Sequence, residues 1–136
     1  MIVGYTQGTF DMFHIGHLNL LQNARGQCDF LIAGVNSDEL VKSYKNKCTI
    51  VPLEERLAII RALRCVDKVI ACETLDKKII WEHEHFQRLF IGDDWKGNPR
   101  WQATGEEMKK LGVDLIFLPY TKNTSSTMLR EKLKDY

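Results

Sequence analysis

Short apolar runs alternate with amphipathic stretches along the whole chain. Met1-Ile2-Val3-Gly4-Tyr5 is too short for a helix and predicts a buried strand. Leu18, Leu20 and Leu21 among Asn19, Gln22, Asn23 and Arg25 predict an amphipathic helix ending near Gly26. Phe30 to Val35 predicts a second strand, followed by a polar turn at Asn36-Ser37-Asp38-Glu39 and a basic loop over Lys42 to Lys47. Pro52 opens a helix with Glu54 and Glu55 in its first turn and Leu53, Leu57, Ile60 and Leu63 at helical spacing. Val66–Ile70 predicts a third strand, Asp76–Glu84 a helix, and Leu89–Ile91 a fourth strand stopped by Gly92. A helix from about Ala103 to Leu111, a fifth strand at Asp114–Leu118 and a final helix capped by Ser125 or Ser126 complete the pattern.

This alternation predicts an α/β, Rossmann-like, doubly wound sheet of five parallel strands in one domain over residues 1–136. Ligands of such sheets bind beyond the carboxyl ends of the strands, where the strand order reverses. Asp11, His14, His17, the Asn36–Glu39 turn, Gly92–Trp95 and the Tyr120–Ser126 loop all follow strands, so they should meet at one edge.

Composition narrows the field. A net charge of +1 argues against a surface that coats nucleic acid. No apolar run is long enough to span a bilayer, and a cytoplasmic location is expected. Cys28, Cys48, Cys65 and Cys72 have no metal-ribbon spacing, so free, mostly buried thiols are expected. His83 and His85 lie two apart on a predicted helix and do not share a face, so they are not expected to hold a metal.

The densest chemistry is Gly8-Thr9-Phe10-Asp11-Met12-Phe13-His14-Ile15-Gly16-His17. Two histidines three apart at a strand–loop–helix junction, with free backbone amides, suit a polyphosphate. The segment resembles the HxGH nucleotidyltransferase superfamily. Across nearly the whole chain the resemblance is to glycerol-3-phosphate cytidylyltransferases. It extends to the basic loop with Lys45 and Lys47, to Arg56, to Arg64-Cys65-Val66-Asp67, and to Gly92-Asp93-Asp94-Trp95. The final loop departs from the family's Arg-Thr-Glu-Gly-Ile-Ser-Thr pattern: Tyr120 replaces its Arg, Lys122 its Glu and Asn123 its Gly.

The resemblance implies transfer of CMP from CTP to a small phosphorylated acceptor, glycerol 3-phosphate first, with release of pyrophosphate. The product would be a CDP-activated precursor for cell-surface polymer or lipid synthesis. It implies His14, His17 and Lys45 as catalytic residues. Gly8, Thr9, Phe10, Asp11, Gly16, Lys47, Arg56, Asp94, Thr121, Ser125, Ser126 and Thr127 would contact the nucleotide. Asp38, Arg64, Trp95, Tyr120 and Lys122 would face the acceptor. Mg²⁺ would be held mainly by the nucleotide's phosphates, with Asp11 either near the metal or orienting a histidine. A homodimer is implied as well. Alternatives are ribitol 5-phosphate, phosphocholine or phosphoethanolamine as acceptor, adenylyl transfer from ATP, or a nucleotide-binding module without turnover.

Overall fold

The computed structural model describes residues 1–119 and 126–134. Five strands, β1 (Val3–Gly8), β2 (Phe30–Asn36), β3 (Lys68–Cys72), β4 (Arg88–Gly92) and β5 (Asp114–Leu118), form one parallel sheet in the order β3-β2-β1-β4-β5. The helices are α1 (Ile15–Arg25), α2 (Asp38–Lys45), α3 (Leu53–Arg61), α4 (Lys77–Glu84), α5 (Pro99–Lys110) and α6 (Ser126–Leu133). The expected doubly wound α/β sheet is therefore present.

Each face of the sheet has its own core. Leu31, Ala33 and Val35 alternate along β2 with Ile32, so odd positions meet one set of helices and even positions the other. Leu21 and Ala24 of α1 and Ile60 of α3 pack with Phe90 and Leu118 on the first face. Ile80 of α4 and Met108 of α5 pack with Tyr5, Phe86 and Leu89 on the second. Helices α1 and α3, before β3, cover the first face, and α4 and α5, after it, cover the second; with β1 central, this reversal opens a crevice between the ends of β1 and β4.

Several boundaries differ from expectation. β1 begins at Val3 and runs on through Thr6, Gln7 and Gly8, because a central strand keeps pairing with Ala33, Gly34 and Val35 beside it. β3 starts at Lys68 rather than Val66, since Asp67 is drawn off to the start of β2, where its Oδ2 accepts from the Leu31 N–H at 2.8 Å. The expected basic loop is mostly helix α2. Ser37 caps it by accepting from the Leu40 N–H at 3.1 Å, and Asp38 and Glu39 fill its first turn. Helix α5 starts a turn earlier than expected, with Asn98 as its cap and Pro99 in its first turn. The thiols divide more evenly than expected: Cys28 and Cys72 are buried, Cys65 is partly buried and Cys48 is exposed.

Gly34 marks the tightest point between β1 and β2. A methyl group there would meet the Tyr5 hydroxyl and, at 2.7 Å, the Cys72 sulfur. Tyr5 cannot retreat, because its ring stacks on Phe86 at 4.9 Å and its hydroxyl bonds Gln7 Oε1 at 2.8 Å. Gly34→Ala should therefore cost roughly 1–3 kcal/mol from overpacking. Tyr5→Phe, which removes the clashing oxygen, should recover part of that loss in the double variant. Urea denaturation of the four proteins of the cycle measures both, and strict additivity would refute the contact.

Candidate active site

The loop leaving β1 is unusual in its backbone. Phe10 and Met12 both adopt left-handed conformations, with φ of 53° and 50°. Each such non-glycine residue costs on the order of 1–2 kcal/mol. The surroundings hold the loop there. Phe10 is buried beneath His17, ring centroids 5.5 Å apart and edge-on. Asp11 is also buried, and both of its oxygens are engaged: Oδ2 accepts from the Ile50 N–H and Oδ1 from the Val51 N–H, each at 2.9 Å. Arg130 of α6 donates to Oδ2 at 2.5 Å. Burial alone would raise the Asp11 pKa, but the two amides and the Arg130 guanidinium hold it below the usual carboxylate range.

The two histidines start α1 and bind each other's turn. The Gly16 N–H donates to His14 Nδ1 at 3.0 Å, and the His14 N–H donates to His17 Nδ1 at 3.2 Å. This is a capping box built from imidazoles in place of the usual hydroxyl and carboxylate. Because each Nδ1 is an acceptor, the neutral rings carry their protons on Nε2. The rings stack at 3.8 Å. Burial lowers the pKa of His14, and burial followed by His14 and Lys45 pushes His17 down to about 3. Both are therefore neutral Nε2–H donors at physiological pH.

A cavity of about 540 Å³ opens at the crevice between β1 and β4. His14, His17, Gly8, Thr9, Gly16 and Lys45 line one part of it, and Asp94, Trp95, Lys77, Arg100 and Trp101 line another. A smaller cavity of about 220 Å³ adjoins it. Lys45 and His17 border both, and Lys47, Phe10, Asp11, Thr127 and Arg130 border the second. Beneath the rim a polar chain fixes the strand ends. Gln7 Nε2 donates to Asn36 Oδ1 at 2.7 Å, and Asn36 Nδ2 donates to the Tyr44 hydroxyl at 3.1 Å.

Three expected site residues are placed elsewhere. Arg56, expected at the nucleotide, is 1% exposed and fully engaged by protein. Its Nε donates to Val51 O at 2.8 Å, and its Nη1 to Thr9 O at 2.8 Å and Asn36 O at 2.7 Å. Nη2 reaches Asp38 Oδ1 at 2.5 Å. Asp38, expected at the acceptor, is turned to Arg56, to the Thr49 hydroxyl at 2.7 Å and to the Leu53 N–H. Arg64 is exposed in the turn before β3, at the edge where the strands begin, across the sheet from both cavities. Asp11, with its oxygens occupied, does not fit the metal role left open for it. Among the described residues no group of three His, Cys, Asp or Glu side chains could hold a metal ion. Tyr120, Thr121, Lys122 and Ser125 lie outside the described residues. Ser126 begins α6, and Thr127 follows it on the smaller cavity.

Sequence reasoning missed three cations. Lys77 begins α4, is 6% exposed, and holds its Nζ 2.8 Å from Leu75 O and 5.4 Å from the Trp101 ring centroid. Burial, then the neighbouring Arg100, lower its pKa to about 8. Arg100 lies on α5 and Arg130 on α6. Arg130 keeps a buried Nε without a hydrogen-bond partner among the described residues. Lys77 follows β3 as His14 follows β1, so the rule that ligands gather after strands would have found it. Asp94, in the short turn after β4, has its pKa raised by burial and then by Asp93.

A family model described as cytidylyltransferase-like matches residues 5–132. The chain belongs to the cytidylyltransferase-like family. A glycerol-3-phosphate cytidylyltransferase of Bacillus spizizenii is 34% identical over 130 residues, covering 94% of each chain. One from Bacillus subtilis is 31% identical over 129 residues, again covering 94% of each. The bifunctional protein HldE of Alcanivorax borkumensis is 33% identical over 133 residues, which are 96% of this chain but 27% of that one. Among solved structures, a lipopolysaccharide core biosynthesis protein from Thermoplasma volcanium superposes with a TM-score of 0.75 at 25% identity, covering 91% of this chain and 99% of that one. The chain is thus a nucleotidyltransferase of the cytidylyltransferase type. No helix among the described residues is long and apolar enough to cross a membrane.

Two outcomes test the geometry. Arg56→Gln leaves three carbonyls, that of Asn36 in a buried bond and those of Thr9 and Val51 in partly buried ones, without their guanidinium and should cost about 3–5 kcal/mol in urea denaturation, whereas exposed Arg64→Ala should stay within about 0.5 kcal/mol. A stable Arg56→Gln protein with weakened nucleotide binding would instead restore the nucleotide role. The second concerns acid. An unfolded histidine takes its proton near pH 6.5, whereas folded His17 resists until about pH 3. The unfolded chain therefore binds more protons between these values, and the His17 contribution is complete above pH 6.5 and lost as pH falls. Between pH 7 and pH 5 the loss should be roughly 2 kcal/mol. His17→Asn should flatten the stability profile in that window, and an equally steep fall in both proteins would contradict it.

Proposed function

We propose that the chain moves CMP from CTP to a small phosphorylated acceptor and releases pyrophosphate, with glycerol 3-phosphate the first acceptor to try. The observation that carries this reading is the pair of Nε2–H donors of His14 and His17, set side by side by their own capping bonds at the crevice between β1 and β4. Neutral donors with a fixed tautomer suit oxygens on which charge builds up, and they need no proton transfer to act. The acceptor's phosphate is already an anion. Its oxygen forms a bond to the α-phosphorus while the bond from that phosphorus to the bridging oxygen of pyrophosphate breaks, with no covalent enzyme intermediate.

Lys45 borders both cavities, so it is assigned to the phosphates at the reacting end. Lys47, Thr127 and the Nε of Arg130, which has no partner among the described residues, suit the departing pyrophosphate in the smaller cavity. Arg130 thereby supplies a guanidinium to a chain that has Tyr120 where the family has Arg. Gly8, Thr9, Phe10 and Gly16 shape the backbone of that cradle. Asp94 is assigned to the nucleoside, and Lys77, beside Trp95 and Trp101, to the acceptor's phosphate. A divalent cation would arrive on the triphosphate and neutralise part of its charge, held by phosphate oxygens rather than by side chains. The homodimer, the cytoplasmic location and the extent of the domain over residues 1–136 belong to the same proposal, on family grounds.

The test is incubation with CTP, Mg²⁺ and a panel of phosphorylated alcohols, with pyrophosphate release and the mass of the CDP product as readouts. CTP should support turnover and ATP should not. His14→Ala and His17→Ala should each lower kcat by about 10²–10³, the loss of one well-placed donor. Because His17→Ala also removes a capping bond, its circular dichroism is measured alongside. Folded variants with unchanged kcat would overturn the mechanism, and no product from any acceptor would overturn the activity.

A further inference from the structure

Lys77 and Arg100 form a second cationic cluster in the larger cavity, built from elements other than the HxGH turn. Lys77 is sunk in the wall, fixed by the Leu75 carbonyl and lying over the face of Trp101. Arg100 is the residue before Trp101 and stays exposed, so the two cations sit at different depths. Among the described residues neither forms an ion pair. Asp76 and Asp94, the acidic side chains that flank the cluster, are not within ion-pair distance of either. The two cations lie beside one cavity, with Asp94 on the same wall but outside ion-pair distance, and they repel one another. That repulsion is relieved when a ligand brings the anions.

A single acceptor phosphate on buried Lys77 uses the deeper cation and leaves Arg100 at the mouth. We propose that Arg100 sets acceptor choice, selecting phosphorylated acceptors whose opposite end carries a second anionic group and rejecting aminoalkyl phosphates. The inference rests on the cytidylyl-transfer reading, with Lys77 at the acceptor's phosphate, and adds the chemical class of the acceptor's other end. A guanidinium recognises a carboxylate or phosphate through two parallel N–H bonds, which an alcohol cannot return. An ammonium group in that place would face Arg100 and Lys77 together. Of the acceptors considered above, phosphocholine and phosphoethanolamine are thereby rejected, and glycerol 3-phosphate and ribitol 5-phosphate, whose other ends are alcohols, become weaker substrates than an acid of the same skeleton.

Glycerol 3-phosphate and 3-phosphoglycerate make a matched pair, because they share a carbon skeleton and differ at one end, hydroxymethyl against carboxylate. Initial rates of pyrophosphate release with CTP give the ratio of kcat/KM for the two. The wild-type protein should favour the acid by roughly ten- to a hundredfold. Arg100→Ala should bring the ratio close to one, and Arg100→Lys should fall between. A wild-type ratio at or below one, or a ratio that Arg100→Ala leaves unmoved, overturns the proposal. An equal loss on both acceptors would make Arg100 part of a clamp on a single phosphate, which also overturns it. Tryptophan fluorescence, read from Trp95 and Trp101 without CTP, separates this idea from the reaction itself. Tighter binding of the acid that Arg100→Ala abolishes supports Arg100 even where no pyrophosphate appears, and equal binding of the two ligands by the wild-type protein counts against it.

Discussion

The buried guanidinium of Arg56 is the constraint on which the rim of the sheet depends. Parallel strands end in carbonyls that have no further partner, and the loops leaving them must cover those groups or expose them to water. Arg56 collects three such carbonyls, one just after β1, one at the end of β2 and one just before α3, and is neutralised by Asp38 at the start of α2. Its planar fork accepts all of these directions at once, which a lysine could not. The ends of β1 and β2 are thereby tied to α2 and α3. Asp11 makes the complementary tie, a carboxylate gathering the amides of Ile50 and Val51. One buried cation and one buried anion thus fix the loop that presents the histidines, and neither needs to touch a substrate.

On that frame the HxGH segment does two jobs with the same two rings. Nδ1 of each ring serves the helix and Nε2 serves the cavity. The glycine between them matters at the backbone, since the Gly16 N–H is one of the two capping donors. The left-handed Phe10 and Met12 are the conformational cost of bringing the chain from the strand into this turn, and the packing of Phe10 under His17 offsets it.

Much of this was legible in the chain. β5 lies where its apolar run placed it, and the order of strands and helices followed from the alternation of patterns. The HxGH cradle, Lys45 and Asp94 were legible from residue type and from position after a strand. Arg56 was not, because nothing in a sequence says whether an arginine's donors meet backbone or ligand. Its burial decides that, and burial here depends on three segments far apart in the chain. Gln7 and Gly8 were left out of β1 because polar residues ended the apolar run, although a central strand is held by its neighbours rather than by its own hydrophobicity. Helix α2 was hidden by its lysines, although Ser37 followed by two acids is a helix start. Lys77, Arg100 and Arg130 come from three separate helices, and only the sheet's topology brings them to one edge.

The reversal of strand order between β1 and β4 divides the larger cavity by position along the chain as well as by geometry. On one side stand the histidines, Lys45 and the Arg56 tie, supplied by segments before β3; on the other stand Lys77, Asp94, Arg100 and the two tryptophans, supplied by segments after it. The two walls meet in a shared floor, where the Thr6 hydroxyl donates to Phe90 O and Gln7 Nε2 donates to Thr74 O. Such a division lets a lineage keep one activated donor while trading the molecule that receives it.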